Sequence, residues 1–182
     1  MIEQSPFTAL ETLRELREGW RHDGRTVVFT NGAFDLLHAG HVTYLAAARA
    51  LGDVLVVGLN SDQSVRGYKG PNRPLVPETQ RGVVLAALRA VDYVTLFESL
   101  TAEPLVAALR PDVYVKGGDY AHPAGGDGKT LPEAHLVLGY GGRVELIQYL
   151  AGLSTTALLE KIRGQGSGVG DQEAGSGKQD VS

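Results

Sequence analysis

The chain contains no cysteine. That absence excludes a disulfide framework, a thiolate zinc site, a cysteine nucleophile and an iron–sulfur cluster. No apolar run approaches the roughly 20 residues needed to cross a bilayer. The opening residues, MIEQSPFTAL, also lack the basic start of a signal peptide. The formal net charge is only −4, which argues against a protein that coats nucleic acid or an anionic membrane. A cytoplasmic protein acting on something small is expected, with neither nucleic acid nor membrane as partner. The remaining arithmetic is ordinary: 182 residues, 43% hydrophobic and 21% charged, enough for one domain with a real core. Glycine, by contrast, is plentiful at 24 residues, well above the usual share of about 7%. Turns and close backbone approaches to a ligand are therefore the features to look for.

Strand-like and helix-like stretches alternate along the chain. Residues 7–18 place Phe7, Leu10, Leu13 and Leu16 at helical spacing, with Ser5-Pro6 ahead of them as a cap. Arg25–Thr30 reads as a strand, His41–Leu51 as a helix, and the continuously apolar Val54–Leu59 as a strand covered on both faces. A polar stretch, Asn60–Pro77, follows. Then come a helix over Glu78–Ala90, a strand over Tyr93–Phe97 and a helix over Glu103–Leu109. Asp112–Lys116 is the fourth strand, Pro132–Leu138 a short helix, Arg143–Ile147 the fifth strand and Ser154–Ile162 a closing helix. Strands separated by helices imply an α/β fold, a Rossmann-like three-layer domain with a five-stranded, mostly parallel sheet. The ligand then lies at the carboxyl ends of the strands, among the loops after Thr30, Leu59, Lys116 and Ile147. Residues 1–24 are expected to form an N-terminal helix packing on a domain of residues 25–163. Residues 164–182, GQGSGVGDQEAGSGKQDVS, have almost nothing to bury and read as a disordered Gly/Ser-rich tail.

Two phosphate-binding patterns fail on inspection. PAGGDGKT at 123–130 nearly spells a P-loop, but Pro123 stands where the first Gly belongs and Pro132 interrupts the helix that should follow. The dinucleotide fingerprint fails too, because TNGAFD after the first strand has a single Gly. The stronger signal is TNGAFDLLHAGH, Thr30–His41. A strand ends, Gly32 permits a tight turn, and His38 and His41 stand three apart at a helix start, on one face. Free N–H groups and the helix dipole attract phosphate there. Imidazole donors would neutralise charge that grows on a phosphoryl group during transfer. Two other readings stay open: histidines that merely mark a boundary, and Asp35, His38 and His41 as a two-imidazole, one-carboxylate iron face.

At these residues the chain resembles the nucleotidyltransferase superfamily, whose G-x-F-D-x-x-H-x-G-H segment stands complete from Gly32 to His41. A second signature, a Ser/Thr cluster opening the last helix, matches Leu153-Ser154-Thr155-Thr156. Within that superfamily the chain is most similar to the D-glycero-β-D-manno-heptose 1-phosphate adenylyltransferases. The likeness runs through VGLNSDQSVRGYKGPNRPLVP, Thr79-Gln80-Arg81 and Val115-Lys116-Gly117-Gly118-Asp119-Tyr120. No sugar-kinase sequence accompanies it, so the stand-alone form is expected. The resemblance implies that ATP and a heptose 1-phosphate give ADP-heptose and pyrophosphate. It makes His38, His41, Lys69 and Arg81 the catalytic set, the histidines on the nucleotide phosphates and the other two supplying positive charge. Asn31, Gly32, Ala33, Phe34 and Gly40 would shape the nucleotide-binding turn, and Asp35 would orient it. Lys116, Gly117 and Asp119 would bind nucleotide from a strand end, while Ser154, Thr155 and Thr156 would hold the outer phosphates. Mg²⁺ would arrive with ATP, held by phosphate oxygens and water rather than by a resident site. A homodimer is expected from the same likeness. Residues 121–142 match weakly, and Tyr149–Gly152 lacks the basic residue some members carry, a gap Lys129 or Arg143 would fill. A sister cytidylyltransferase acting on glycerol 3-phosphate, or a non-catalytic nucleotide sensor, would share these signatures.

Overall fold

The computed structural model describes residues 5–117, 120, 131–148, 155, 158, 159, 161 and 162. Five strands, β1 (Val27–Gly32), β2 (Val54–Asn60), β3 (Tyr93–Phe97), β4 (Val113–Gly117) and β5 (Arg143–Ile147), form one sheet. Their order is β3-β2-β1-β4-β5. Every pairing is parallel, so the mostly parallel sheet expected is wholly so. The chain winds outward from β1 to β3, then returns to the other side of β1. A crevice opens at such a reversal, at the carboxyl ends of β1 and β4.

Burial on both faces explains why the strands are apolar without a break. Val27, Phe29, Val54, Val56 and Tyr114 point to one core, shared with Leu13 and Trp20 of α1 (Leu10–His22), Leu105 and Leu109 of α5 (Glu103–Leu109) and Val137 of α6 (Ala134–Gly139). Their alternates Val28, Leu55, Val57, Leu59, Val113 and Val115 form the opposite core with Tyr44, Leu45 and Ala48 of α2 (Ala39–Arg49) and Leu85 of α4 (Glu78–Ala86). These are the three layers. Among the described residues no helix is long and apolar enough to cross a membrane.

Several boundaries depart from the sequence reading. The first helix starts at Leu10, not at residue 7, and Ser5-Pro6 does not cap it. Tertiary packing takes this segment instead. The Thr8 N–H donates to the Val94 carbonyl at 2.8 Å, and Phe7 lies so close to Gly82 that a Cβ there would sit 2.5 Å from its ring. The polar stretch hides a helix, α3 (Asp62–Lys69), capped by Ser61, whose Oγ accepts from the Ser64 N–H at 3.1 Å. The second helix begins at Ala39 rather than His41, which places His41 inside its first turn. Of the closing helix, Thr155, Leu158, Leu159, Lys161 and Ile162 have helical backbone. The P-loop-like stretch and the Gly/Ser-rich tail lie outside the described residues.

One ion pair fixes α1 against the sheet. Arg17 is 4% exposed. Its guanidinium donates to Asp112 Oδ1 at 2.7 Å and to the Arg110 carbonyl at 3.1 and 3.3 Å. Asp112 Oδ2 accepts the Val27 N–H at 2.7 Å, so one carboxylate joins helix, β1 and the approach to β4. Removing it strands a buried cation and an unpaired N–H. Asp112→Ala is therefore expected to cost about 2–3 kcal/mol. Asp112→Asn, which keeps an acceptor, should cost less. Urea midpoints at unchanged slope would check both values.

Candidate active site

The turn after β1 is shaped by sterics. Phe34 has φ 44°, in the left-handed region that costs a side-chain-bearing residue about 1–2 kcal/mol. Its ring is held between two neighbours. A Cβ on Gly32 would lie 3.2 Å from the Phe34 Cε2, so a side chain there would press on the ring. On the other side the ring meets His41, centroid to centroid 5.6 Å. His38 is the N-cap of α2, and its Nδ1 accepts the Gly40 N–H at 3.1 Å. That bond leaves the proton of the neutral His38 ring on Nε2. The two imidazoles stack at 4.1 Å with a 39° tilt. Burial first, then the neighbouring His38 and Lys69, push the pKa of His41 down to about 4. His41 is thus neutral at pH 7. Its Nδ1 is buried without a partner among the described residues. An unpaired buried N–H is the costlier state, so the proton sits on Nε2, which serves as a donor.

Beneath the turn lies a buried polar lattice. Asp35 Oδ1 accepts the N–H groups of Leu75 and Val76 at 2.8 and 2.9 Å, and Oδ2 pairs with Arg73 at 2.9 Å. Arg81, 1% exposed, donates to the carbonyls of Ala33 and Val76 and to Asp62 Oδ1. Asp62 and Glu78 cap one another's helices: each backbone N–H donates to the other's carboxylate, at 2.6 and 2.9 Å. Arg81 therefore stands beneath the turn with its fork committed to protein acceptors, whereas the sequence expectation has it supplying positive charge to phosphates. A lone basic residue gives no sign of burial; three acceptors gathered from distant segments decide its place. Asp35 turns to the 73–76 segment, away from the histidines. Among the described residues no group of three His, Cys, Asp or Glu side chains converges as a metal site.

Above the turn a cavity of about 670 Å³ spans the carboxyl ends of β1, β2 and β4. Asn31, Gly32, Ala33, Phe34 and His41 line it from the turn, Lys69 from the end of α3, Lys116 and Gly117 from β4, and Thr155 from the closing helix. Gly40 is buried in the first turn of α2, and His38 adjoins the cavity through the His41 ring. Asp119, Ser154 and Thr156 lie outside the described residues. Lys116 is 8% exposed, and burial lowers its pKa to about 8. Its Nζ donates to the Asn31 carbonyl at 3.0 Å, beside the ring of Tyr120 at 5.3 Å. Sequence reasoning missed Asn60, Tyr68, Thr101 and Glu133, which also line the cavity. Asn60, at the end of β2, was within reach of the strand-end rule. Glu133 carried no local signal, since its place is set by a bond to Ala102, 31 residues away.

The role of Arg81 is checkable. A lysine cannot span three acceptors, so Arg81→Lys is expected to lower the melting temperature together with turnover. A phosphate ligand would instead raise the KM for nucleotide at an unchanged melting temperature. Thermal denaturation beside steady-state kinetics separates the two.

Known proteins place this geometry. The model of the cytidylyltransferase-like family matches residues 29–159. The chain is 57% identical to the bifunctional protein HldE of Trichlorobacter lovleyi over 152 residues, 84% of this chain and 30% of that one. It is 47% identical to the HldE of Wolinella succinogenes over 161 residues, 88% of this chain and 32% of that one. The chain thus spans about a third of the length of these relatives. A crystal structure of a lipopolysaccharide core biosynthesis protein from Thermoplasma volcanium superposes with a TM-score of 0.56 at 27% identity, over 70% of this chain and 98% of that one. With its family match covering the sheet and the histidine turn, the chain belongs to the cytidylyltransferase-like family and is a nucleotidyltransferase.

Proposed function

We propose that the protein transfers AMP from ATP to D-glycero-β-D-manno-heptose 1-phosphate, giving ADP-heptose and pyrophosphate. The observation that carries the reading is the histidine pair at the start of α2, His38 against His41, with His41 lining a cavity that Lys69 and Lys116 also line. The choice of sugar rests on the likeness of the FTNGAFDLLHAGH and VKGGDY stretches to heptose 1-phosphate adenylyltransferases. The length shared with the HldE relatives supports it.

In this reaction an oxygen of the sugar phosphate attacks the α-phosphorus in line. The bond from the α-phosphorus to the bridging oxygen breaks, and pyrophosphate leaves with the electron pair. No protein nucleophile is required; the work is positioning and charge stabilisation. Nε2–H of His41 and the first-turn N–H groups of α2 would hold phosphate oxygens. Lys69 and Lys116 would supply positive charge, and Thr155 a hydroxyl at the outer phosphates. Asp35 and Glu133, the carboxylates lining the described cavity, both accept from backbone N–H groups, and no third such side chain joins them among the described residues. Such a donor set fits an ion carried on the nucleotide, so Mg²⁺ would be held mainly by phosphate oxygens and water, screening their charge.

Pyrophosphate release with ATP or CTP, over heptose 1-phosphate, glycerol 3-phosphate and no acceptor, tests the assignment. Release that needs both ATP and the heptose phosphate is expected. Turnover with CTP alone would move the protein to the sister cytidylyltransferases, and binding without release to the sensors. His41→Ala and His38→Ala should each lower kcat by about 10²–10³ without unfolding the protein. The pH profile carries a further expectation. Free-enzyme Lys116 loses its proton as pH rises through about 8, so kcat/KM for ATP should fall there. Lys116→Arg, which stays charged, should remove that limb.

A further inference from the structure

The cavity has two chemically different ends, one on each face of the sheet. His41 and Phe34 close it on the face covered by α2. On the other face, the segments leading into α5 and α6 close it with Thr101 and Glu133. Glu133 is 3% exposed, and its Oε1 accepts the Ala102 N–H at 2.8 Å. The carboxylate also lies within hydrogen-bond reach of the Tyr114 hydroxyl, whose proton goes to Asn31 Oδ1 at 2.8 Å. One phenolic proton cannot serve two acceptors, so Glu133 keeps unsatisfied lone pairs in the cavity wall. Asn60, 4% exposed, spends its amide N–H on Ser64 Oγ at 2.9 Å, and its Oδ1 has no partner among the described residues. Asn31 has the converse pattern: Oδ1 is engaged and the amide nitrogen is not.

Buried acceptors beside donors suit hydroxyl groups, each of which donates and accepts. They do not suit a phosphate, which offers acceptors only and is repelled by a carboxylate. We propose that Glu133, with Asn60 and Asn31, forms the acceptor subsite, reading the hydroxyls of a polyhydroxylated phosphate ester whose phosphate points back toward Lys116. The assignment rests on the transfer reaction proposed above. It adds which wall of the cavity recognises the acceptor and makes Glu133 a specificity-determining residue.

Glu133→Gln is the test, because the amide retains an oxygen for the Ala102 N–H while presenting donors in place of a second acceptor. The KM for heptose 1-phosphate is expected to rise about 10- to 100-fold. The KM for ATP should stay within about two-fold, and the preference for heptose 1-phosphate over glycerol 3-phosphate should collapse. A rise shared equally by both substrates, or no change in acceptor KM, would overturn the subsite. Should the variant not fold, wild-type enzyme with sugar 1-phosphates each lacking one hydroxyl answers the same question. At least one should lose about 10-fold in kcat/KM; equal rates for all would refute the assignment. Wild-type enzyme that releases no pyrophosphate with any acceptor would overturn the transfer reading itself, and the subsite with it. Turnover by wild type that Glu133→Gln leaves unaltered removes the subsite alone.

Discussion

The site depends on one buried guanidinium. Arg81 gathers the Ala33 carbonyl from the turn after β1, the Val76 carbonyl from the loop before α4, and Asp62 from the start of α3. The consequence above this floor follows from peptide geometry. A trans peptide points its carbonyl and the next N–H in opposite directions. Anchoring the Ala33 carbonyl below therefore sends the Phe34 N–H upward, to the cavity side. Phe34 holds its left-handed backbone with its ring against His41 and in space that only a glycine at position 32 leaves open. Buried ion pairs of this kind are poor sources of net stability, since desolvation offsets most of the attraction. Here the return is positional: three segments are fixed relative to the turn that the proposed function places against phosphate oxygens.

The cationic wall is restrained until a substrate arrives. His41 is neutral because burial first, then the neighbouring His38 and Lys69, oppose its protonation, and burial holds the Lys116 ammonium near the edge of ionisation. Both effects come chiefly from desolvating a positive charge, and at Lys116 the Glu133 carboxylate offsets only part of it. A polyphosphate reverses each of them by supplying the counter-charge. The unliganded site therefore avoids the cost of stacking several full charges in one cavity, and its imidazole still acts as an oriented dipole. Such preorganised donors stabilise developing charge without reorganising during the reaction.

What the sequence made legible was what local chemistry determines. Tyr93–Phe97, Glu103–Leu109 and Arg143–Ile147 match the observed elements to the residue, because apolar runs and a Pro at a helix start fix them locally. The histidine turn was legible for the same reason, since all its parts lie within ten consecutive positions. The hidden helix α3 shows the limit of hydrophobic pattern: only Ser64 and Val65 are buried in it, and its Ser61 cap was the overlooked signal. Phe7 was misassigned because its partner, Gly82, lies 75 positions along the chain (82 − 7). The surroundings of Arg81 and Glu133 were hidden for a similar reason. For each, the place in the fold is set by groups brought close by folding, and a basic or acidic letter in a sequence does not reveal them.

The two-ended cavity suits the proposed transfer, which needs no protein nucleophile. A parallel sheet exposes the carboxyl ends of its strands to ligands while helices cover both faces, so a crevice there inherits different chemistry from each side. The α2 side brings imidazoles, a helix dipole and Lys69; the α5 and α6 side brings Glu133. The electrostatic problem in joining two phosphates is their mutual repulsion. For two unit charges at 4 Å and an effective dielectric constant of 20, it amounts to about 4 kcal/mol. That is roughly a thousand-fold in rate, the scale over which a single well-placed donor acts. Lys116 stands where both halves of the cavity meet, close enough to Glu133 for the carboxylate to oppose part of its loss of charge. In the proposed transfer, a cation there would offset the repulsion where the two phosphates converge. The carboxylate behind it would disfavour a second phosphate in the same wall, and so orient the proposed acceptor.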